Sequence, residues 1–250
     1  MPSLSLGLSL TSVPMSGGVS LLERVRALFE SGAVNGYHLP VLPQYLYEDR
    51  SVTPSTPASV DGVVGTRLDI SGNNNHAIAP SDAARAILRQ SGGLYYLEYD
   101  GVDDGYTLQT SLGTSADYLF CVSAQTTDSA YMTDWNESTI GYMNIGQSGL
   151  GSDCNPPGVG ASADTYVDQV HITQTRNALY TAVNGATPRV ITCRPVRLSS
   201  ANVMKIANYG GGFTFANKEY GKVVIDLATF DADDIDLVER YCAEAAGISL

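Results

Sequence analysis

Glu98, Asp100 and Asp103, spaced Glu-x-Asp-x-x-Asp at the end of an apolar run, are the residues best suited to acid–base chemistry. Two carboxylates flanking a glycosidic bond can serve as nucleophile and general acid. The same acids belong to a second constellation. Asp69, Asn73, Asn75, Asp100, Asp103 and Asp104 sit in two polar stretches, and a hard cation such as calcium takes several oxygens converging from turns. Gly72 precedes the Asn run, which departs from an EF-hand loop, and Asx side chains bonding turn amides account for the same letters without metal. No cofactor is therefore expected, calcium being the one ion these residues would suit. Trp135, in Thr-Asp-Trp-Asn-Glu, has a ring that can stack on a sugar and joins Asp100 and Asp103 as a candidate for ligand contact. His38, His76 and His171 are scattered, and no Gly-x-Ser-x-Gly elbow, P-loop or dinucleotide fingerprint occurs.

The elements that must hold these residues follow from local chemistry. Ser71, Gly72, Asn73, Asn74 and Asn75 tolerate positive φ or bond their own backbone, so a strand must turn there. Residues 94–99, Leu-Tyr-Tyr-Leu-Glu-Tyr, suit a pleated, half-buried surface, and Asp100-Gly101 ends that strand. Further strand-like runs are expected at 63–70, 117–124, 140–145, 165–173, 178–183, 189–198, 203–207 and 220–227, with Asn184-Gly185 a candidate hairpin turn. Short strands at this frequency predict a sandwich or barrel rather than an α/β fold. Residues 146–160, rich in Gly, Ser and Pro, read as a long rim loop.

Two helices stand out. Ser20-x-x-Glu23 is a capping-box pattern, followed by Leu21, Val25, Leu28 and Phe29 at helical spacing, which predicts a short amphipathic helix over 21–31. Asp231 with Asp234 caps a second helix over 231–246, with Ile235, Val238, Cys242 and Ala245 on one face, Leu237 and Tyr241 beside it and Gly247 at its end. Prolines at 40, 43, 54 and 57 make 37–59 an expected connection. The expected division is an arm and helix (1–36), the proline-rich connection (37–59), and a β-sandwich closed by the last helix (60–250).

Asp69-x-Ser71-Gly72-Asn73-x-Asn75-His76-Ala77, followed by Tyr99-Asp100-Gly101-x-Asp103-Asp104, resembles the paired signature of laminin-G-like, concanavalin A-like jelly-roll domains. The run from Tyr220 through Tyr241 is similar to the closing strand and helix of the bacteriophage-associated members of that group. The similarity spans roughly residues 60–250, strongest at both ends, with Tyr99 where the family more often has Phe. It implies a mostly β, concanavalin A-like jelly roll in a virion protein. Glu98-x-Asp100-x-x-Asp103 is also similar to the Glu-x-Asp-x-x-Glu strand of concanavalin-type glucanases. Asp103 replaces the final Glu, a methylene shorter, and Gly101 interrupts the strand. The expectation is thus not an enzyme, with a glycoside hydrolase as the reading from a different class.

Composition sets further bounds. The net charge of −12 with three lysines (Lys205, Lys218 and Lys222) leaves no basic stripe for phosphates, so no nucleic acid is expected as partner. No apolar run reaches the ~18 residues of a membrane span. Cys121, Cys154, Cys193 and Cys242 lack zinc-ligand spacing. Residues 1–22 carry no charged side chain, and Leu4, Leu6, Leu8 and Leu10 alternate with small residues. The alternation and the lack of a basic start predict a strand with one leucine face rather than a signal peptide, an assembly anchor that pairs with its own domain or a neighbouring subunit. Together with the resemblance, this predicts a tail-fibre or receptor-binding appendage, with a capsid decoration or head-fibre protein as the alternative. Its expected partners are other virion proteins, copies of itself (a trimer by preference) and a host surface glycan. Its expected location is the virion, assembled in the host cytoplasm.

Overall fold

The computed structural model describes residues 19–30, 34–126, 132–135, 142–145, 164–172, 176–198, 201–207, 216–228 and 230–250, with backbone alone at 132–135, 142–145 and 176–177. The expected anchor, Leu4, Leu6, Leu8 and Leu10, the loop 146–160 and Cys154 lie outside the described residues.

Helix α1 (Leu21–Glu30) precedes β1 (Gly36–Pro40), a 3-10 turn (Pro43–Tyr45), β2 (Leu46–Tyr47), β3 (Thr66–Arg67) and β4 (Ala77–Ile78). Then come β5 (Ile87–Ser91), β6 (Leu94–Asp100), β7 (Tyr106–Ser111), β8 (Asp117–Gln125), β9 (Met132–Trp135) and β10 (Tyr142–Ile145). The chain closes with β11 (Asp164–Val167), β12 (Val170–Ile172), α2 (Arg176–Val183), β13 (Arg189–Arg197), β14 (Val203–Ile206), β15 (Ala216–Asp226) and α3 (Ala232–Ala245). One sheet of eight strands runs β12-β11-β13-β8-β15-β6-β5, with β1 also on β15; the other, of seven, runs β10-β9-β14-β7-β4-β3-β2. Every ladder between these strands is antiparallel. The protein is mostly β, as its turn-punctuated apolar runs predict.

The main core lies between the sheets. Tyr118, Phe120 and Val122 of β8, Leu97 and Tyr99 of β6 and Val224 of β15 share one cluster with Leu46, Tyr106, Leu108, Met204 and Ile206 of the other sheet. The alternate residues Leu119, Cys121, Val223 and Ile225 join Val25 and Phe29 of α1 and Leu237, Val238, Tyr241 and Cys242 of α3. The eight-stranded sheet is therefore covered on its outer face by two helices. That double burial is why β8 reads as a near-continuous apolar run rather than an alternation. The α3 cap is as the sequence predicts: Asp231 accepts from the Asp233 and Asp234 amides at 2.9 and 3.1 Å, and Asp234 accepts from the Asp231 amide.

Three local readings are corrected. Residues 37–59, expected as a connection, supply β1, the 3-10 turn and β2, with Tyr37, Leu39, Val41 and Leu46 buried. Pro40 ends its strand and Pro43 opens the 3-10 turn, places where a missing N–H costs nothing, so the prolines mask an alternating apolar pattern. Gly36 makes this docking possible, since a Cβ there would lie 2.1 Å from the Val224 carbonyl oxygen. Residues 178–183, expected as a strand, lie in α2, where Leu179 and Val183 are buried one turn apart. The single strand expected at 165–173 is a hairpin, β11 and β12, turned by Asp168 and Gln169 at positive φ.

Among the described residues no helix is long and apolar enough to cross a membrane.

Candidate functional site

The two polar turns behave differently. In the first, Asp69 is buried and its carboxylate is a corner post. One oxygen accepts from the His38 amide (2.9 Å) and the Ser71 amide (3.0 Å). The other accepts from the Ser71 hydroxyl (2.8 Å) and the Asn75 amide (2.9 Å). Asn73 donates to the Val34 and Gly36 carbonyls at 2.9 and 3.1 Å, while Asn75 Oδ1 accepts from the Thr110 amide at 2.9 Å. The His76 Nδ1 accepts from the Asp69 amide at 3.1 Å, so any ring proton of the neutral imidazole sits on Nε2. Burial, opposed by the Asp69 charge, lowers the His76 pKa and favours that neutral form. Asp69 and Asn73 thus tie β1 to the turn, Asn75 ties the turn to β7, and the set does not fit a calcium ion, because the lone pairs of Asp69 face backbone amides and the Ser71 hydroxyl.

The second turn suits a cation better. Carboxylate oxygens of Asp100, Asp103 and Asp104 lie within 4.8 Å of one another. Asp100 Oδ1 accepts from the Val102 amide (2.7 Å), and Asp104 Oδ2 accepts from the Asp100 amide (2.8 Å). Gly101, at φ +76°, lets the chain reverse against β15, where a Cβ would come within 3.1 Å of the Ala216 nitrogen. These three residues would be the ones to hold calcium if the turn takes it.

Burial, and after it the Asp100 and Asp103 charges, push the Asp104 carboxyl up to about 6 from an ordinary 3.8, against the hydrogen bond from the Asp100 amide. Between pH 3.8 and about 6 the folded protein therefore holds a proton here that the unfolded chain has released. The stability Asp104 contributes is present below pH 3.8 and lost as pH rises through about 6. Asp104→Asn should be more stable than the wild type above pH 6, with the gain vanishing towards pH 4. Urea unfolding of both proteins across this range, with the carboxyl titration followed by NMR, checks it; a stability gap independent of pH contradicts it.

Glu98 is paired with a cation. Arg89 Nε holds its carboxylate at 2.7 Å, and the same guanidinium reaches Asp61 at 2.7 Å. Directly across the ladder lie Lys218 on β15 and, one strand further, Gln125 on β8. With Tyr99, Ala216 and Asn217, these residues line an open cavity of about 220 Å³ at the end of the sheet. Trp135 lies on β9 of the other sheet, its backbone paired with Lys205, and its side chain is outside the described residues. Asp100 adjoins the cavity through its pairing with Ala216.

Sequence reasoning missed two buried polar features. Arg67 and Glu219, 152 residues apart, form an ion pair between the sheets, with nothing in local spacing to announce it. Asn217 is 7% exposed and its Oδ1 has no hydrogen-bond partner. The one available signal was the unusual Asn-Lys-Glu opening of an otherwise apolar closing strand.

No family model matches the chain, and no curated protein does. Among solved structures it is similar to a sialidase of Trypanosoma rangeli in complex with 2,3-difluoro-KDN, at 10% identity and a TM-score of 0.36, over 92% of this chain and 39% of that one. The chain spans about two-fifths of that enzyme's length, and a likeness of this size carries no argument.

Proposed function

We propose that the chain is a structural, glycan-contacting component of a bacteriophage virion. In this reading it is a tail-fibre or receptor-binding appendage built on a concanavalin A-like jelly roll and anchored by the leucine-alternating arm. The resemblance in 69–77 and 99–104 motivates it, and two antiparallel sheets sharing one core are what that resemblance requires. The observation that carries the choice of binding over bond cleavage is the engagement of Glu98. A hydrolase needs one carboxylate poised as acid and a second as nucleophile or base. Here Arg89 occupies Glu98 at 2.7 Å, and Asp100 spends an oxygen on its own turn. Charge agrees with a glycan rather than a nucleic acid partner, since the chain carries a net −12 and three lysines.

The test is a glycan array probed with the full chain, alongside an assay for reducing-sugar release. Retention of glycans without release is expected, unchanged in turnover by Glu98→Gln. Sugar release that Glu98→Gln abolishes would establish the hydrolase instead. Binding to empty capsids that is lost on removing residues 1–18, with no glycan retained, would move the chain to the capsid surface.

A further inference from the structure

We infer that an apolar groove beside the first turn of α1 seats the leucine ridge of residues 4–10 of the same chain. The seat does not depend on the chain belonging to a virion, and it gives the arm a place before any partner is met.

The groove has a volume of about 340 Å³ and lies where four elements begin or end. Leu22 comes from the first turn of α1, Val41 and Leu42 from the segment after β1, Leu94 and Tyr95 from the start of β6, and Ala245 from the end of α3. Val41 is buried, whereas Leu22, Leu42, Leu94, Tyr95 and Ala245 stay partly open. Half-open apolar side chains that share one hollow favour a cover that expels water from it.

Chemistry selects the occupant. Among the described residues the lining carries one charged side chain, the exposed Glu244, and no cation. An anion would find nothing to pair with there, while an uncharged aliphatic segment fits. Residues 1–22 carry no charged side chain, and Leu4, Leu6, Leu8 and Leu10 alternate with Ser5, Gly7 and Ser9. In an extended segment, leucines two residues apart share one face at about 7 Å, so neighbours can enter one hollow while the serines face water. The volume falls at the small end of the roughly 300–1,000 Å³ of small-ligand sites, which admits side chains but not a helix about 10–12 Å across.

Position and tether choose the chain's own arm. Leu22 is itself part of the groove, and the chain runs into α1 through Val19, which is 68% exposed, and Ser20. Residues 11–18 separate the ridge from Val19. Eight residues span at most about 29 Å, and Pro14, Gly17 and Gly18 suit a reversal of the chain. A segment tethered this closely acts at an effective concentration on the order of millimolar, above that of a second copy in a micromolar solution. An assembly that takes the arm as its anchor must draw it from this seat.

The test is methyl NMR of the full chain with labelled Leu and Val, alongside light scattering for its mass. Nuclear Overhauser contacts from the methyls of Leu4, Leu6, Leu8 or Leu10 to those of Val41 or Leu94 are expected within one chain. Replacing Leu6 and Leu8 together by Ser should abolish them and lower the melting temperature by about 4 °C or more, because two buried side chains are lost. In an arm that lies in water the same replacement leaves the melting temperature unchanged. Leu42→Ser, at the half-open wall, should weaken the arm contacts from the other side. Should the double variant not fold, the wild-type contacts read the seat directly. Arm contacts with another surface, no arm contacts at all, or an unchanged melting temperature would overturn the seat. Contacts that an isotope-mixed sample shows to run between chains would give the groove to a second copy and overturn the occupant.

Discussion

Arg67→Met should destabilise the protein by about 3–5 kcal/mol at pH 7, the cost of stranding a buried charge. Arg67 lies on β3 in the seven-stranded sheet, fully buried, and its guanidinium crosses the core to Glu219 Oε1 of β15 at 2.5 Å. It also donates to the Leu39 carbonyl and the Tyr99 hydroxyl, each at 3.3 Å, and lies over the Tyr106 ring at 5.4 Å. Glu219 is itself fully buried, with Lys222 3.5 Å from its second oxygen. Burial opposes ionisation of Glu219, yet Arg67 and Lys222 outweigh it and hold the carboxyl below its ordinary value. Methionine fills the space without the charge, so Glu219 would keep Lys222 as its cation, beside the Tyr99 hydroxyl that donates to Oε2 at 3.4 Å.

The pH dependence distinguishes this from simple loss of packing. A carboxyl held below its ordinary value contributes stability that is present above 4.5 and lost as pH falls through its folded value. In Arg67→Met the Glu219 pKa should rise, and the variant's deficit should shrink on acidification as Glu219 takes up a proton. Urea unfolding at pH 7 and pH 4 reads both effects. A deficit below about 1 kcal/mol at pH 7, or one of equal size at both pH values, would contradict the account.

Such a pair explains where sequence reading succeeds and stops. The cap of α3 is legible because Asp231 and Asp234 act three residues apart on their own backbone. β8 is legible as an apolar run because both its faces are covered. β5 and β7 were not read, since Ile-Leu-Arg-Gln-Ser and Tyr-Thr-Leu-Gln-Thr-Ser show too short an apolar alternation before turning exposed. Leu179 and Val183 allow a strand or a helix, and tertiary packing decides for α2. The candidate site divides in the same way. Asp69 and Asp100 announce turns through local Asx chemistry, whereas the row Glu98–Lys218–Gln125 exists only because β15 pairs with β6 on one edge and β8 on the other. Register across 93 to 120 residues of chain leaves no mark on spacing.

The corner at Asp69 tests whether the family-like letters of the first turn serve the fold or a ligand. Asp69→Ala should cost about 3 kcal/mol or more, because it leaves the amides of His38, Ser71 and Asn75 without their acceptor, each unsatisfied buried group being worth about 1–3 kcal/mol. Asp69→Asn retains one acceptor oxygen and turns an NH₂ towards backbone N–H donors, so about 1–3 kcal/mol should be lost there too. Both losses should be the same in calcium and in chelator, since the carboxylate acts on backbone amides directly. Asp103→Asn should behave in the opposite way. Its carboxylate belongs to the cluster of the second turn, and in chelator its removal relieves like-charge repulsion rather than breaking a corner. Urea unfolding of the three variants with and without calcium separates the two turns. An Asp69→Asn protein as stable as the wild type in chelator would mean that the first turn does not hold β1 in place. The Asx run of that turn would then need a ligand to account for it.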